Sequence, residues 1–254
     1  MRAFSTGRVR NKREARGIGR YLRDDWSEST LPINVFLVEH PQGLCLVDAG
    51  QTAAAALPGY FPFWHPYFRL ARFELTPMDD AAEQLVASGI AVRDVRWVVL
   101  THLHTDHVGG IGAFTHADVV VVRAEWNRAQ GLGGRVRGYL PQYWPRCIAP
   151  RLVDFTSPCV GPFPASYDVA SDGRLLMVPL PGHTPGHSAL LVSDDVGQRF
   201  LCAGDAAITA VELARLFPAI ATWCRTEAIT ILTSHDDAVS PLFSRPFSPG
   251  GAVR

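Results

Sequence analysis

The sequence predicts an α/β fold, on three observations. Apolar runs of strand length recur between residues 33 and 232, bounded by glycine and proline. Segments with helix-starting caps and helical apolar spacing stand between them. Several runs end directly in a histidine or aspartate beside small residues, as at the ligand-binding edge of open α/β sheets.

The elements follow in chain order. Residues 1–30 read as a solvated basic N-terminal segment, carrying Arg2, Arg8, Arg10, Lys12, Arg13, Arg16, Arg20 and Arg23, and could fold over a substrate entrance. Residues 33–40 and 44–50 are two β runs, and Pro41, Gln42 and Gly43 between them make a hairpin. Thr76, Pro77 and Asp79 open a helix as cap, first residue and first-turn acid; Ala82, Leu85 and Val86 follow on one face, and Gly89 ends it. Residues 95–100 form a buried strand, and 119–122, 177–180, 189–192, 200–203 and 229–232 are further strands. Thr209 and Glu212 match a capping box that starts one long helix reaching about residue 225. Residues 131–167, with Gly133, Gly134, several prolines, Tyr139, Tyr143 and Trp144, read as a long, partly ordered loop of the kind that walls pockets. No linker or repeat divides the chain, so one domain over 1–254 is expected, with 245–254 a flexible tail.

Composition narrows the function classes. With 47% hydrophobic residues the chain can bury a core, and zero formal net charge gives no general pull toward nucleic acid or anionic membrane. The five cysteines, Cys45, Cys147, Cys159, Cys202 and Cys224, are odd in number and lack a C-x-x-C pair, which fits reduced thiols better than a disulfide framework. No stretch resembles a signal peptide or a membrane span, so a cytoplasmic protein is expected.

The chemistry is concentrated after the strand at 95–100. His102, His104, Asp106 and His107 fall within six residues, next to Gly109 and Gly110. A lone histidine is usually a satisfied structural residue, but four such groups together are repulsive without a cation. His183 follows the run 177–180, Asp205 follows 200–203, and His235 follows 229–232. Strand-end loops on one sheet edge can converge, which makes this a metal site. Five imidazoles and two carboxylates without a thiolate favour zinc, with iron, manganese or cobalt also compatible. Seven ligands exceed one tetrahedral ion and fit two, with one carboxylate between them. Two ions about 3.5–4 Å apart can share a hydroxide and polarise a scissile carbonyl. His40, His65 and His116 lie outside this pattern and read as structural.

The H-x-H-x-D-H run at His102, His104, Asp106 and His107, with His183, Asp205 and His235 following in order, resembles the metallo-β-lactamase superfamily. Val47, Asp48, Ala49 and Gly50 match the family's early strand-end acid, so the resemblance spans about residues 31–240. Gly112, Ala113, Phe114 and the His183-to-His187 motif are most similar to the N-acyl-homoserine lactonase group. The resemblance implies a four-layer αβ/βα sandwich of two mixed sheets flanked by helices. It implies that His102, His104 and His183 hold one Zn2+, that Asp106, His107 and His235 hold a second, and that Asp205 bridges them. Asp48 would orient a ligand histidine, His187 would lie beneath the site, and Asp106 could pass a proton to the leaving group. The function implied is dinuclear hydrolysis of a lactone or carboxylic ester by a metal-bridging hydroxide, with quorum quenching as its biological setting. The partner would be a small molecule with an apolar acyl part, walled in part by the aromatic run 60–68 or leaving that run to loop packing. No nucleic-acid or membrane partner is expected, and a homodimer is compatible.

Two features depart from the lactonase pattern. Ile208 stands three residues after Asp205, where these lactonases commonly carry a tyrosine, and Tyr139, Tyr143 and Tyr167 are the candidates to replace it. The segment from Asp205 to His235 is also short, with room for one helix. Thioester, phosphodiester or β-lactam hydrolysis, and metal binding without catalysis, are the alternatives.

Overall fold

Apolar side chains on both faces of a strand require cover on both faces, and that requirement shapes the molecule. The computed structural model describes residues 1–12, 26–62, 64–65 and 67–243. Among them, one sheet comprises β1 (Arg2–Asn11), β2 (Leu31–Val38), β3 (Leu44–Val47), β4 (Ala71–Glu74), β5 (Val95–Val99), β6 (Asp118–Val122) and β7 (Arg151–Val153), in the order β4-β1-β2-β3-β5-β6-β7. The other comprises β8 (Tyr167–Asp168), β9 (Leu175–Pro179), β10 (Ser188–Ser193), β11 (Arg199–Cys202) and β12 (Ile229–Leu232), in the order β12-β11-β10-β9-β8. Both sheets are mixed: β3, β5, β6 and β7 run parallel, as do β11 and β12, while the remaining pairs are antiparallel.

The period-two alternation of each strand sorts its residues between layers. Phe36, Val38, Cys45, Val47, Trp97, Val99, Val120 and Val122 point inward and meet Met177, Leu190, Val192, Cys202 and Leu232 of the second sheet. Val35, Leu37, Leu46, Val98, Val119 and Val121 point outward, under Ala81 and Leu85 of helix α1 (Ala81–Ala87) and under Ile111 and Phe114. The helices α2 (Thr105–Val108), α3 (Arg123–Ala129) and α4 (Gly131–Val136) follow on that side. The outer face of the second sheet is covered by α5 (Ala210–Leu216) and α6 (Pro218–Thr226), through Leu213, Ile220 and Cys224. The result is the expected four-layer αβ/βα sandwich.

The hairpin between β2 and β3 forms as expected, pairing Phe36 with Val47 and Val38 with Cys45. Thr76 and Asp79 make their capping box, but it caps a 3-10 turn that precedes α1. Three expectations are corrected. The beginning of the basic segment is strand β1, lying between β2 and β4 with Arg10 paired to Glu74 and Arg8 to Asp237; Arg13, Arg16, Arg20 and Arg23 lie outside the described residues, as does the expected tail 245–254. The single helix expected after Thr209 is two, because Pro218 has no amide hydrogen to continue the ladder. The expected loop 131–167 contains α4, a 3-10 turn at Pro141–Tyr143 and the strand β7. No helix among the described residues is long and apolar enough to cross a membrane.

Helix α5 buries one side chain, Leu213. Leu213→Ala is therefore expected to lower stability by about 2–5 kcal/mol, read as a lower urea midpoint with an unchanged slope.

Candidate metal centre

Parallel strands deliver their C-terminal ends to one edge, so the loops that follow them meet there. The 101–107 loop follows β5, Asp48 follows β3, the 181–187 loop follows β9, Asp205 follows β11 and His235 follows β12. Backbone hydrogen bonds join the two sheets at this edge: the Ser188 amide donates to the Thr101 carbonyl at 2.9 Å, and the Asn34 amide donates to that of Ser234 at 2.8 Å. Gly204, at φ +52°, permits the closest approach, since a Cβ there would lie 2.7 Å from His187 Nε2 and 2.8 Å from Thr101 Oγ1.

All seven residues singled out in the sequence come together. Three groups each place their ligand-type atoms within 4.8 Å of one another: His102, His104 and His183; His102, His107 and Asp205; and Asp106, His107 and His235. His104 Nδ1 lies 3.2 Å from His102 Nε2 and 2.8 Å from His183 Nε2. Nitrogens around a tetrahedral ion with bonds of about 2.0–2.1 Å stand roughly 3.4 Å apart, so this spacing is near that of a ligand cage. Asp205 occupies the middle. Its Oδ2 lies 3.3 Å from His235 Nε2, 3.5 Å from His183 Nε2 and 3.9 Å from His102 Nε2, and its Oδ1 lies 3.2 Å from His107 Nε2. That last pair is close but not aligned as a hydrogen bond, which leaves two buried polar atoms facing each other without a proper partner. Buried polar atoms in that condition are costly, and the donor set and its orphaned atoms fit cations.

The surrounding residues fix which nitrogen of each histidine faces inward. His107 Nδ1 donates to Asp48 Oδ2 at 2.8 Å, and His235 Nδ1 donates to the Pro32 carbonyl at 2.7 Å. The Thr101 hydroxyl donates to Asp48 and accepts from His102 Nδ1 at 3.2 Å. Each bond turns the Nε2 of its histidine toward Asp205, which is how a second layer of residues orients ligands. His187 lies beneath the cluster: its Nδ1 donates to the Leu180 carbonyl at 2.9 Å, and its Nε2 accepts from the Asp205 amide at 3.1 Å. Asp48 and His187 therefore occupy the places the sequence implied. Thr101 and Pro32 were not singled out as site residues; Thr101, the strand-end residue just before His102, was the available signal.

Electrostatics divides the histidines. Burial and the neighbouring imidazoles lower the pKa of His102 well below its usual value and bring His104 to about 3. Burial also opposes charge at His107 and His235, but Asp205 and, for His107, Asp48 outweigh it; His107 is raised well above 6.5 and His235 to about 9. Burial alone would raise Asp205, yet His235 and His107 bring it well below 3.8.

A cavity of about 330 Å³ opens onto the cluster, and His104, Asp106, His183, Asp205 and His235 form its polar floor. Val9, Leu31, Leu70, Ala71, Ala207 and Ile208 supply apolar lining. None of the described side chains of the aromatic run lines it: Phe61 stacks on Phe68, and Tyr60 packs on Tyr143, while Phe63, Pro66 and the side chain of Tyr67 lie outside the described residues. The tyrosines near Ile208's expected role are committed elsewhere. Tyr143 donates to the Tyr60 carbonyl, Tyr167 accepts from Arg151, and buried Tyr139 bonds Glu125. His40 and His116 sit outside the cluster on Asp172 and the Val92 carbonyl, and His65 contacts the Arg135 carbonyl. All five cysteines are unpaired.

The profile described as the metallo-beta-lactamase superfamily matches residues 29–241. N-acyl homoserine lactonase AttM of Rhizobium radiobacter is 29% identical over 233 residues, covering 81% of this chain and 82% of its own. A probable metallo-hydrolase of Mycobacterium tuberculosis is 37% identical over 182 residues, covering 68% of this chain and 56% of its own. In fold, the chain is similar to Bacillus thuringiensis AiiA with N-decanoyl-L-homoserine bound at its active site. That likeness has a TM-score of 0.69 at 21% identity and covers 97% of this chain and 96% of the other.

Without metal, His235 holds its proton up to about pH 9, so an ion must displace it. Adding Zn2+ to metal-free protein at pH 7 is expected to release protons, and affinity should weaken as pH falls. A pH-indicator titration reads the release, and none at pH 7 would contradict this charge state.

Proposed function

Because this chain belongs to the metallo-β-lactamase superfamily and is one of its metal-dependent hydrolases, we propose that it opens an N-acyl homoserine lactone or a closely similar carboxylic ester with two bound zinc ions. The observation that carries this reading is the placement of Asp205 among four imidazoles at the floor of a cavity with apolar walls.

His102, His104 and His183 would hold one ion, Asp106, His107 and His235 the other, and Asp205 would reach both. The bound ions supply Lewis acidity, which activates water and polarises an ester carbonyl. Asp106, whose Oδ2 lies 3.7 Å from His235 Nε2, borders the cavity and is placed to relay a proton from the attacking water to the departing alkoxide. The side chains of Val9, Leu31, Leu70 and Ala71 exclude water from one side of the cavity and receive the acyl part of the substrate. The curated relative AttM is named for lactone hydrolysis, and the AiiA structure holds an acyl homoserine; both support this choice of substrate class.

Protein purified after zinc-supplemented expression is expected to contain two equivalents of metal and to open acyl homoserine lactones. Turnover confined to thioesters or bis-phosphodiesters in the same panel would overturn the substrate class. Asp106→Asn is expected to lower kcat by about 10²–10⁴-fold, measured by a pH-indicator assay of ring opening on protein with its metal content determined.

A further inference from the structure

Glu125 is a buried acid to which the proposed reaction gives no part. It is the third residue of α3 and has no exposed surface. Its side chain gathers donors from three separate stretches of chain. Oε1 accepts from the Leu103 amide at 3.2 Å, and Leu103 lies between His102 and His104. Oε2 accepts from the Thr184 hydroxyl at 2.8 Å and the Gly186 amide at 3.2 Å, in the loop that begins with His183. Tyr139 donates to it as well, and the Tyr139 ring lies 5.0 Å from that of His104.

The loop is shaped for this contact. A Cβ on Gly186 would collide with the Glu125 backbone, so glycine is what lets the chain after His183 come against α3. Burial pushes the Glu125 pKa up, and its donors oppose that rise. A carboxylate with several donors and no competing acceptor makes strong, directional bonds. These bonds lie between the two loops that carry His102, His104 and His183. Leu103 stands directly between His102 and His104 and four residues before His107, and none of these bonds reaches the loop of His235.

We propose that Glu125 is a positioning residue for the His102, His104 and His183 half of the centre, holding the two ligand loops at the separation an ion requires. It acts through Leu103, Thr184, Gly186 and Tyr139. The inference rests on the reading of this cluster as a two-ion site. Glutamine keeps the size of the side chain but turns an amide NH2 toward groups that are themselves donors, so Glu125→Gln breaks one side of the arrangement. Thr184→Val removes a single donor and leaves the acid in place.

The test is stepwise titration of metal-free protein with Co2+, followed by its visible spectrum and by competition with a chelator. Wild-type protein is expected to take up two equivalents. In Glu125→Gln, affinity at one step should fall by about 10–100-fold while the other step stays as in wild type. Thr184→Val should weaken the same step to a smaller extent. In a His235→Ala background, which removes a ligand of the other half, Glu125→Gln should weaken the remaining uptake by the same factor. A residue that merely supports the fold would lower the melting temperature of the metal-free protein without separating the two steps. Equal loss at both steps, or two unaffected steps, overturns the proposal. Circular dichroism shows whether the variants fold, and if Glu125→Gln does not, Thr184→Val decides between the same outcomes. Wild-type protein that takes up no Co2+ would overturn the two-ion reading itself, and this proposal with it.

Discussion

Imidazoles and carboxylates crowded into a buried space compete for protons and repel one another unless opposite charges are interleaved. Asp205 supplies that interleaving, with Oδ2 within 4 Å of three ring nitrogens and Oδ1 within 4 Å of a fourth. The balance is unequal across the cluster. His107 and His235 are drawn toward the charged form, while His102 and His104 are driven to the neutral form that a metal ion requires. A cluster with this pattern is stable only if its members cannot turn away from Asp205, and that condition falls on the backbone.

The two-sheet architecture meets it. Parallel strands in each sheet deliver loops to the same edge, and main-chain hydrogen bonds across that edge join β10 to the end of β5 and β2 to the loop after β12. The histidines are then held from behind, by Asp48, Thr101 and the Pro32 carbonyl. Thr101 and Asp48 form one connected unit, since the Thr101 amide and hydroxyl both donate to the carboxylate that orients His107. The tight turn after β11 places Gly204 where a larger residue would strike both His187 and Thr101. Ligand orientation and sheet packing are therefore the same set of contacts.

This explains what could be read in the sequence. The candidate ligand residues stand at or near strand ends, where local pattern marks both the strand and the loop, so the gathering of His102, His104, Asp106, His107, His183, Asp205 and His235 at one place was legible. The hairpin of β2 and β3 was legible for a similar reason, because Gly43 and Pro41 punctuate two apolar runs. Strand β1 was not. Its arginines gave it the look of a solvated segment, whereas Arg8 and Arg10 find partners in Asp237 and Glu74, far away in the chain. Strand pairing over such separations leaves little local trace. Glu125 gives even less signal: its role comes from three loops that meet only in the folded chain.

The cavity divides along the same line. Its floor comes from strand-end loops, and its opposite wall comes from β1, β2 and the approach to β4, through Val9, Leu31, Leu70 and Ala71. The floor is locked to both sheets and leaves little freedom to alter a ligand without disturbing its neighbours. The wall is built at an edge of the first sheet, where β4 is the terminal strand, and side chains there can change size without touching the cluster. Ile208 belongs to this second group: its amide donates to Glu212 and its carbonyl accepts from Thr233, so its backbone is held while its side chain projects at the rim. A tyrosine at that position could extend a hydroxyl toward a bound carbonyl; isoleucine offers only apolar surface. An apolar side chain there adds no donor to the cavity wall and leaves the His and Asp cluster as it is, so the wall and the cluster can change independently.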